Sequence, residues 1–318
     1  MTKCGVGFVG AGGVAARHAR VLASLPSARV VAVTDTDALR AEQFAERHGA
    51  VAVPGLSELL DSGVDAVYVC VPPFAHGRPE EAIAAAGLAV FVEKPLGLDL
   101  EVPQRVAELL DDAGVVTAVG HHWRYSAAVR RAERLLDGCA VRMVCGAWLD
   151  KLPPVAWWAR RECSGGQLVE QAVHVLDLAR VLAGEVSEVY AQPDRASVGP
   201  DADIDGATAA TLSFASGAVG TLAATWRLGW KHRAGLEVYA DDLALSVTED
   251  ELVVRDGGRT TRERVDPDDA RFAVDSAFVD AVLGERAAVL VPYAEALRTH
   301  RVACALARSA DEHRPVEV

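Results

Sequence analysis

Three groups of residues in this chain have the types and spacing that chemistry requires. The first is GAGGVA at 10–15, which fits G-x-G-x-x-G/A through Gly10, Gly12 and Ala15. It follows the apolar run CGVGFV, opens a helical stretch, and is followed 25 residues after Gly10 by an acid, Asp35, ending the next apolar run. In that context the glycines read as a cradle for a dinucleotide: Gly10 for the tight turn, Gly12 for backbone approach to a pyrophosphate, Ala15 for close helix–strand packing. A helix N-terminus supplies unpaired N–H groups and a positive dipole end for the phosphates. The second group is FVEKPLG at 91–97, where Glu93 and Lys94 stand directly behind a buried-strand pattern. The third is GGQLVEQAVHVLDLARVLAG at 165–184, in which Glu170, His174 and Asp177 fall at i, i+4 and i+7 of a helical pattern and share one stripe. Val169, Ala172, Val173 and Leu176 lie around the other side and should face a core. An exposed glutamate–histidine helix pair is the bland alternative for this group.

The elements that must position these residues alternate strand and helix through the first third of the chain. Strands are expected at 4–9, 28–35, 51–53, 64–71, 89–92 and 115–120. Helices are expected after the glycine loop, over TDALRAEQFAERHG with Gly49 as C-cap, from about Phe74 to Ala86, and over most of LEVPQRVAELLDDAG. Doubly buried strands alternating with helices imply a parallel, doubly wound sheet. Such sheets bind ligands beyond the C-terminal ends of their strands. Gly10, Asp35, Pro72-Pro73 and Glu93-Lys94-Pro95 all stand at those ends. Asp35 should hydrogen-bond the adenosine ribose hydroxyls and repel a 2′-phosphate, favouring NAD over NADP, although Thr36 and Arg40 are near enough to adapt. The alternative role for Asp35 is the N-cap of the following helix. His18, a turn beyond the loop, reads as packing or capping. The second half suggests antiparallel strands: a hairpin around Ser216-Gly217 and a meander turning at Asp241-Asp242, Glu249-Asp250 and Asp256-Gly257.

Length and charge set limits. The chain has 318 residues, more than one core usually supports, so two domains are expected, divided at 1–120 and 121–318. A net charge of −13 argues against nucleic acid or an anionic membrane as partner. No apolar run approaches a membrane span or the core of a signal peptide. The six cysteines are scattered without a CxxC pair, which fits a reduced, cytoplasmic protein. His121 and His122 are adjacent, with no acid or cysteine at helical ligand spacing after them, so no metal site is expected.

The segments GFVGAGGVAARHA, DAVYVCVPPFAHG, GLAVFVEKPLGLDL, GHHWRY and GGQLVEQAVHVLDLARVLAG, with the tail YAEALRTHRVACALARSADEHRPVEV, together resemble the Gfo/Idh/MocA family of oxidoreductases. The resemblance covers nearly the whole chain, and Glu-Lys-Pro is its most specific motif. It implies a fold of class α/β: an N-terminal Rossmann sheet and a C-terminal α/β domain with an open, largely antiparallel sheet. That sheet's outer face commonly joins subunits in the family, implying a homodimer or homotetramer. The resemblance implies a cofactor site built from Gly10, Gly12, Gly13, Val14, Asp35, Pro72, His76, Glu93 and Lys94. It places Lys94 beside the nicotinamide, where a cation stabilises a developing alkoxide. His174 becomes the general base, since histidine titrates near neutrality. The family carries an aspartate four residues before that histidine; this chain has Glu170, which keeps the charge and adds a methylene.

The resemblance further implies a small polyol-like substrate: a sugar, amino sugar, nucleotide sugar or cyclitol. Candidate substrate contacts besides Lys94, Glu170 and His174 are His122 and Arg124, for which linker packing is the alternative. Trp157 and Trp158, in a proline- and tryptophan-rich loop, could wall a sugar or staple that loop to its domain. Asp177 could orient the imidazole or cap a neighbouring element. Two rival functions share these motifs: a nucleotide-responsive regulator, which should lack the lysine or histidine, and a glycosidase that retains NAD and acts by transient oxidation and elimination. A dehydrogenase acting on a dipeptide or dihydrodiol is a milder variation.

Overall fold

The computed structural model describes residues 3–194, 196, 201–285 and 289–318. The chain divides into two compact units. The first comprises Met1–Gly97, Glu101–His122 and Arg271–Leu297; the second comprises Leu98–Leu100, Trp123–Ala270 and Arg298–Val318.

The first unit runs β1 (Cys4–Val9), α1 (Gly13–Ser24), β2 (Ala28–Thr34), α2 (Ala38–His48), β3 (Val51–Ala52), α3 (Leu56–Leu60), β4 (Ala66–Val69), α4 (Arg78–Ala85), β5 (Ala89–Val92), α5 (Glu101–Ala113) and β6 (Thr117–Val119). Its six strands lie in the order β3-β2-β1-β4-β5-β6, every neighbouring pair parallel. Strand order reverses between β1 and β4, which is where ligands enter such sheets. Every residue of β1, β4 and β5 is buried, so these strands read as unbroken apolar runs rather than alternating ones. Gly49 closes α2 in the left-handed conformation, at φ 67°. The continuous helix expected from Phe74 to Ala86 is instead a 3₁₀ turn over Pro73–Ala75 followed by α4. Gly77 between them has φ 110°, which no helix accommodates.

The second unit continues with α6 (Ala127–Leu136), β7 (Val141–Leu149), α7 (Arg161–Ser164), α8 (Gln167–Glu170), α9 (Val173–Ala183), β8 (Val186–Pro193), β9 (Ala207–Phe214), β10 (Val219–Thr225), β11 (Arg233–Ala240), β12 (Leu243–Thr248), β13 (Glu251–Asp256) and β14 (Arg259–Arg264). The chain ends with α10 (Pro267–Val282), α11 (Tyr293–Glu312) and β15 (Val316–Glu317). Nine strands form one open sheet in the order β14-β13-β12-β11-β7-β10-β9-β8-β15. All pairs are antiparallel except β7 with β10. The expected hairpin joins β9 to β10, with Gly217 at φ 87° in its turn, and the meander runs through β11 to β14. β8 and β9 alternate buried and exposed residues, the mark of a sheet covered on one face. Among the described residues no helix is long and apolar enough to cross a membrane.

A linear division at residue 120 does not describe the first unit, which also takes in residues 271–297. From Arg271 onward α10 packs on the parallel sheet through Val274, Phe278 and Val279, each no more than 1% exposed. Phe278 meets Tyr68 and Phe91 edge-on, at ring-centroid distances of 5.5 and 5.6 Å, while Tyr68 and Phe91 stack at 4.5 Å. Edge-on and offset pairs are the favoured aromatic geometries, so the helix is keyed to its site. Phe278→Ala should therefore cost about 3–5 kcal/mol, seen as a lower urea midpoint of the first unit.

Candidate functional site

Gly10 has φ 94°, and a Cβ there would lie 2.4 Å from the carbonyl oxygen of Cys70, so only glycine fits where β1 turns past β4. At Gly12 and Gly13 an added Cβ would meet nothing within 4 Å. Gly12 caps α1 without a side chain, leaving the first-turn N–H groups to be satisfied from outside. Ala15 is fully buried and Val14 stands 38% exposed at the mouth. Open space before a glycine loop, an uncapped helix N-terminus and an acid at the end of β2 are what a dinucleotide pyrophosphate and ribose fit.

Asp35 does more than the sequence suggests. One carboxylate oxygen accepts the Ala11 N–H at 2.7 Å and the other accepts the Asp37 N–H at 2.9 Å, so Asp35 pins the glycine loop. It is not the N-cap of α2; Asp37 is, accepting from the Arg40 N–H at 3.2 Å. The Arg40 guanidinium is shared by Asp35 and Asp37 at 3.5 and 3.4 Å. Pro72 precedes the 3₁₀ turn at the end of β4. His76 is buried with Nδ1 2.5 Å from Glu80, whose other oxygen accepts the Gly77 N–H at 2.7 Å and starts α4.

The Glu93–Lys94 turn follows β5, and the Lys94–Pro95 peptide is cis. Glu93 is 6% exposed. Its Oε1 lies 2.8 Å from His18 Nε2 and 3.5 Å from Arg17, while Oε2 accepts the Lys94 N–H at 3.1 Å. On the far side of the ring, His18 Nδ1 lies 2.7 and 3.0 Å from the two oxygens of Asp275. Tyr68 donates its hydroxyl to Asp275 at 3.2 Å. Burial by itself would hold His18 neutral, but the charges and hydrogen bonds of Asp275 and Glu93 outweigh it and raise its pKa to about 9. Burial would likewise push the Glu93 carboxyl up; the His18 bond and charge, then Arg17 and Lys94, bring it down to about 2. Arg17, His18, Glu93, Gly120, His122 and Arg271 line a narrow cleft, and His122 is 8% exposed. His18 is thus the bridge of a buried ion cluster, not a packing residue. Asp275 was missed; its signal was an acid within the otherwise apolar helical run FAVDSAFVDAV, where Asp275 and Asp280 are the two acids.

In the second unit the expected stripe is broken. Gly165 and Gly166 take φ 71° and 86°, and α8 ends at Glu170. The Ala172 N–H reaches back five residues to the Gln167 carbonyl, so one wide turn separates α8 from α9. Each member of the stripe then finds its own neighbour. Glu170 accepts the Trp158 indole N–H at 2.6 Å. His174 forms a triangle with Trp123 and Trp148: its ring centroid is 5.6 and 5.8 Å from theirs, the two indoles are 5.9 Å apart, and all three planes lie within 21°. Asp177, 1% exposed, takes both Nε and Nη2 of Arg124 at 2.7 Å and the Thr299 hydroxyl at 2.7 Å. Asp177 therefore orients Arg124. Val169, Ala172, Val173 and Leu176 are core residues, as the pattern requires.

Trp158 is 1% exposed and packs against Ile204 and Trp226, with Trp157 half-buried beside it. Of the two readings, Trp158 staples the loop, because its ring is already covered and its N–H already bonded. Among the described residues no group of histidine, cysteine or acidic side chains is placed to hold a metal ion.

Two family descriptions match this chain: "Oxidoreductase family, NAD-binding Rossmann fold" (GFO_IDH_MocA) over residues 4–121, and "GFO/IDH/MocA C-terminal domain" over 138–246. The scyllo-inositol 2-dehydrogenase (NAD(+)) of Bacillus subtilis is 33% identical over 197 residues, 59% of this chain and 56% of that protein. The myo-inositol 2-dehydrogenase of Thermotoga maritima is 29% identical over 271 residues, 81% of this chain and 80% of the relative. Among solved structures, GenD2 from gentamicin A biosynthesis in complex with NAD superposes with a TM-score of 0.83 at 25% identity, covering all of this chain and 97% of that one. The chain spans 65% and 56% of the first curated relatives it matches, less than two thirds of their length.

Breaking the Arg124–Asp177 fork leaves a guanidinium that is only 11% exposed without its counter-ion. Asp177→Ala should cost about 3–5 kcal/mol, whereas replacing both partners by apolar residues of matching volume should cost much less. Chemical denaturation of the two variants measures the difference.

Proposed function

This chain belongs to the Gfo/Idh/MocA oxidoreductases, and from that premise we propose that it is an NAD-dependent dehydrogenase of a cyclitol or sugar, oxidising a secondary alcohol or reducing the matching ketone. The observation that carries the reading is Lys94, set at the ligand edge of the parallel sheet by a buried carboxylate that holds its own N–H. Gly10, Gly12, Gly13 and Val14 would receive the pyrophosphate. Asp35 keeps lone pairs for the ribose hydroxyls while pinning Ala11. Arg40 is already engaged by two carboxylates, which favours NAD over NADP. Bound NAD supplies the hydride acceptor.

Lys94 stabilises negative charge on the substrate oxygen as the C–H hydride departs. His174 takes the hydroxyl proton, so that the alcohol loses one hydride and one proton and leaves as a ketone. Trp123 and Trp148 fix the plane of the imidazole, and Glu170 ties the tryptophan loop to the end of α8. A cyclitol or sugar is the favoured class because two relatives act, by their names, on inositols. The exposed residues of β8 and β9 on the sheet's outer face are the proposed homodimer or homotetramer surface, to be tested by light scattering.

Absorbance of reduced nicotinamide should rise with NAD and a member of a panel of inositols, anhydrosugars and amino sugars. Lys94→Ala should lower kcat about 10²–10³-fold, and Asp35→Ser should narrow the preference for NAD over NADP. A protein that binds NAD yet turns over none of the panel argues for the regulator. Glycoside cleavage without net use of NAD argues for the glycosidase.

A further inference from the structure

We infer that Asp275, acting through His18 and Glu93, is a positioning residue for Lys94, and that this buried chain releases the Lys94 turn when His18 loses its proton. The inference rests on the reading of Lys94 given above, but its physical linkage can be observed without turnover.

The chain is continuous and enclosed. Asp275 is 1% exposed, His18 4% and Glu93 6%, and the last carboxylate in line accepts the backbone N–H of Lys94 itself. The imidazole is boxed by Phe91 at 4.9 Å and Tyr68 at 5.2 Å, so it has no room to swing away. Behind Glu93, a Cβ on Gly120 would stand 2.6 Å from each carboxylate oxygen; the glycine exists to let the acid in. Burying such a cluster is a poor route to stability, since well-packed apolar residues commonly do as well. What it supplies is a fixed place for one peptide.

The proton count of His18 decides whether the chain holds. An imidazolium donates from both nitrogens and can satisfy Asp275 and Glu93 together; a neutral imidazole donates from only one. The charged groups facing it are Asp275 and Arg271 from α10, Glu93 and Lys94 after β5, and Arg17 from α1. The other titratable groups nearby are Tyr68 and Cys70 at β4, and His122 after β6. Asp275 faces Nδ1 with both oxygens, at 2.7 and 3.0 Å, and keeps the remaining proton; the bond lost on deprotonation is the one to Glu93, whose hold beside the Lys94 N–H then rests on Arg17 alone at 3.5 Å.

The sign follows from the raised pKa. The contribution of His18 to stability is fully present below about 6.5 and is lost as pH rises through about 9.

The test uses the full-length protein with NAD. Histidine ring and backbone amide resonances are followed by NMR from pH 6.5 to 10.5, with kcat and KM over the same range, in wild type, Asp275→Asn and His18→Gln. In wild type the Lys94 amide should titrate with the same midpoint as the His18 ring. Asp275→Asn keeps the shape and removes one charge, so both midpoints and the alkaline fall of kcat should move down together by about one pH unit or more, with KM for the alcohol changed less than kcat. His18→Gln should abolish the Lys94 amide titration and give a low kcat that is flat in this range. A Lys94 amide that ignores the His18 titration, or midpoints unmoved in Asp275→Asn while only the melting temperature falls, overturns the inference and leaves a structural cluster. Linked amide titrations in a protein without alcohol turnover uphold the positioning chain and refute the dehydrogenase reading instead.

Discussion

Glu93 carries a full negative charge at a place where almost none of its surface meets water, and the parallel-sheet unit is arranged around keeping it there. A buried carboxylate needs donors on every side, and each comes from a different part of the chain. α1 brings His18 and Arg17, the turn itself brings the Lys94 N–H, and the end of β6 brings a glycine small enough to admit it. His18 in turn needs a second anion to stay protonated, and α10 supplies Asp275 from more than 250 residues away. This demand accounts for a helix far along the chain lying on the first sheet. Phe278 keys it mechanically; Asp275 ties it electrostatically.

That long-range tie marks the limit of what the sequence could show. Gly10, Gly12, Ala15 and Asp35 were legible because the turn chemistry and the spacing of a strand–turn–helix unit are local. The strands were legible because burial on both faces leaves them apolar throughout. What local patterns missed came from partners that only the fold brings together. His18 looked like packing because nothing within its own helix pairs with it. The alternative role of Asp35 as an N-cap fails because Asp37, two residues on, has the cap geometry. Residues 165–184 looked like one helix because their hydrophobic spacing is helical to the end. A single wide turn after Gln167, invisible to composition, separates the short helix that ends at Glu170 from the one that carries His174 and Asp177.

The broken stripe changes what Glu170 does. Within one straight helix, an acid four residues before a histidine would sit beside it and tune its basicity. Here α8 stops at Glu170, and one carboxylate oxygen is committed to the Trp158 indole. The glutamate side chain reaches across to the tryptophan loop and accepts its indole N–H. Trp158 gives that loop a buried root in Ile204 and Trp226. The family's acidic charge is retained at this position, and in this chain it also holds a wall.

His174 is correspondingly held by other means. Trp123 and Trp148 lie nearly parallel to it and help set the plane of its ring. Aromatic neighbours help fix orientation while adding no charge of their own. The two histidines of the molecule that matter most are therefore built on opposite principles. His18 is clamped between two carboxylates, which keep it charged; His174 stands in a triangle with two indoles, which help set the plane of its ring.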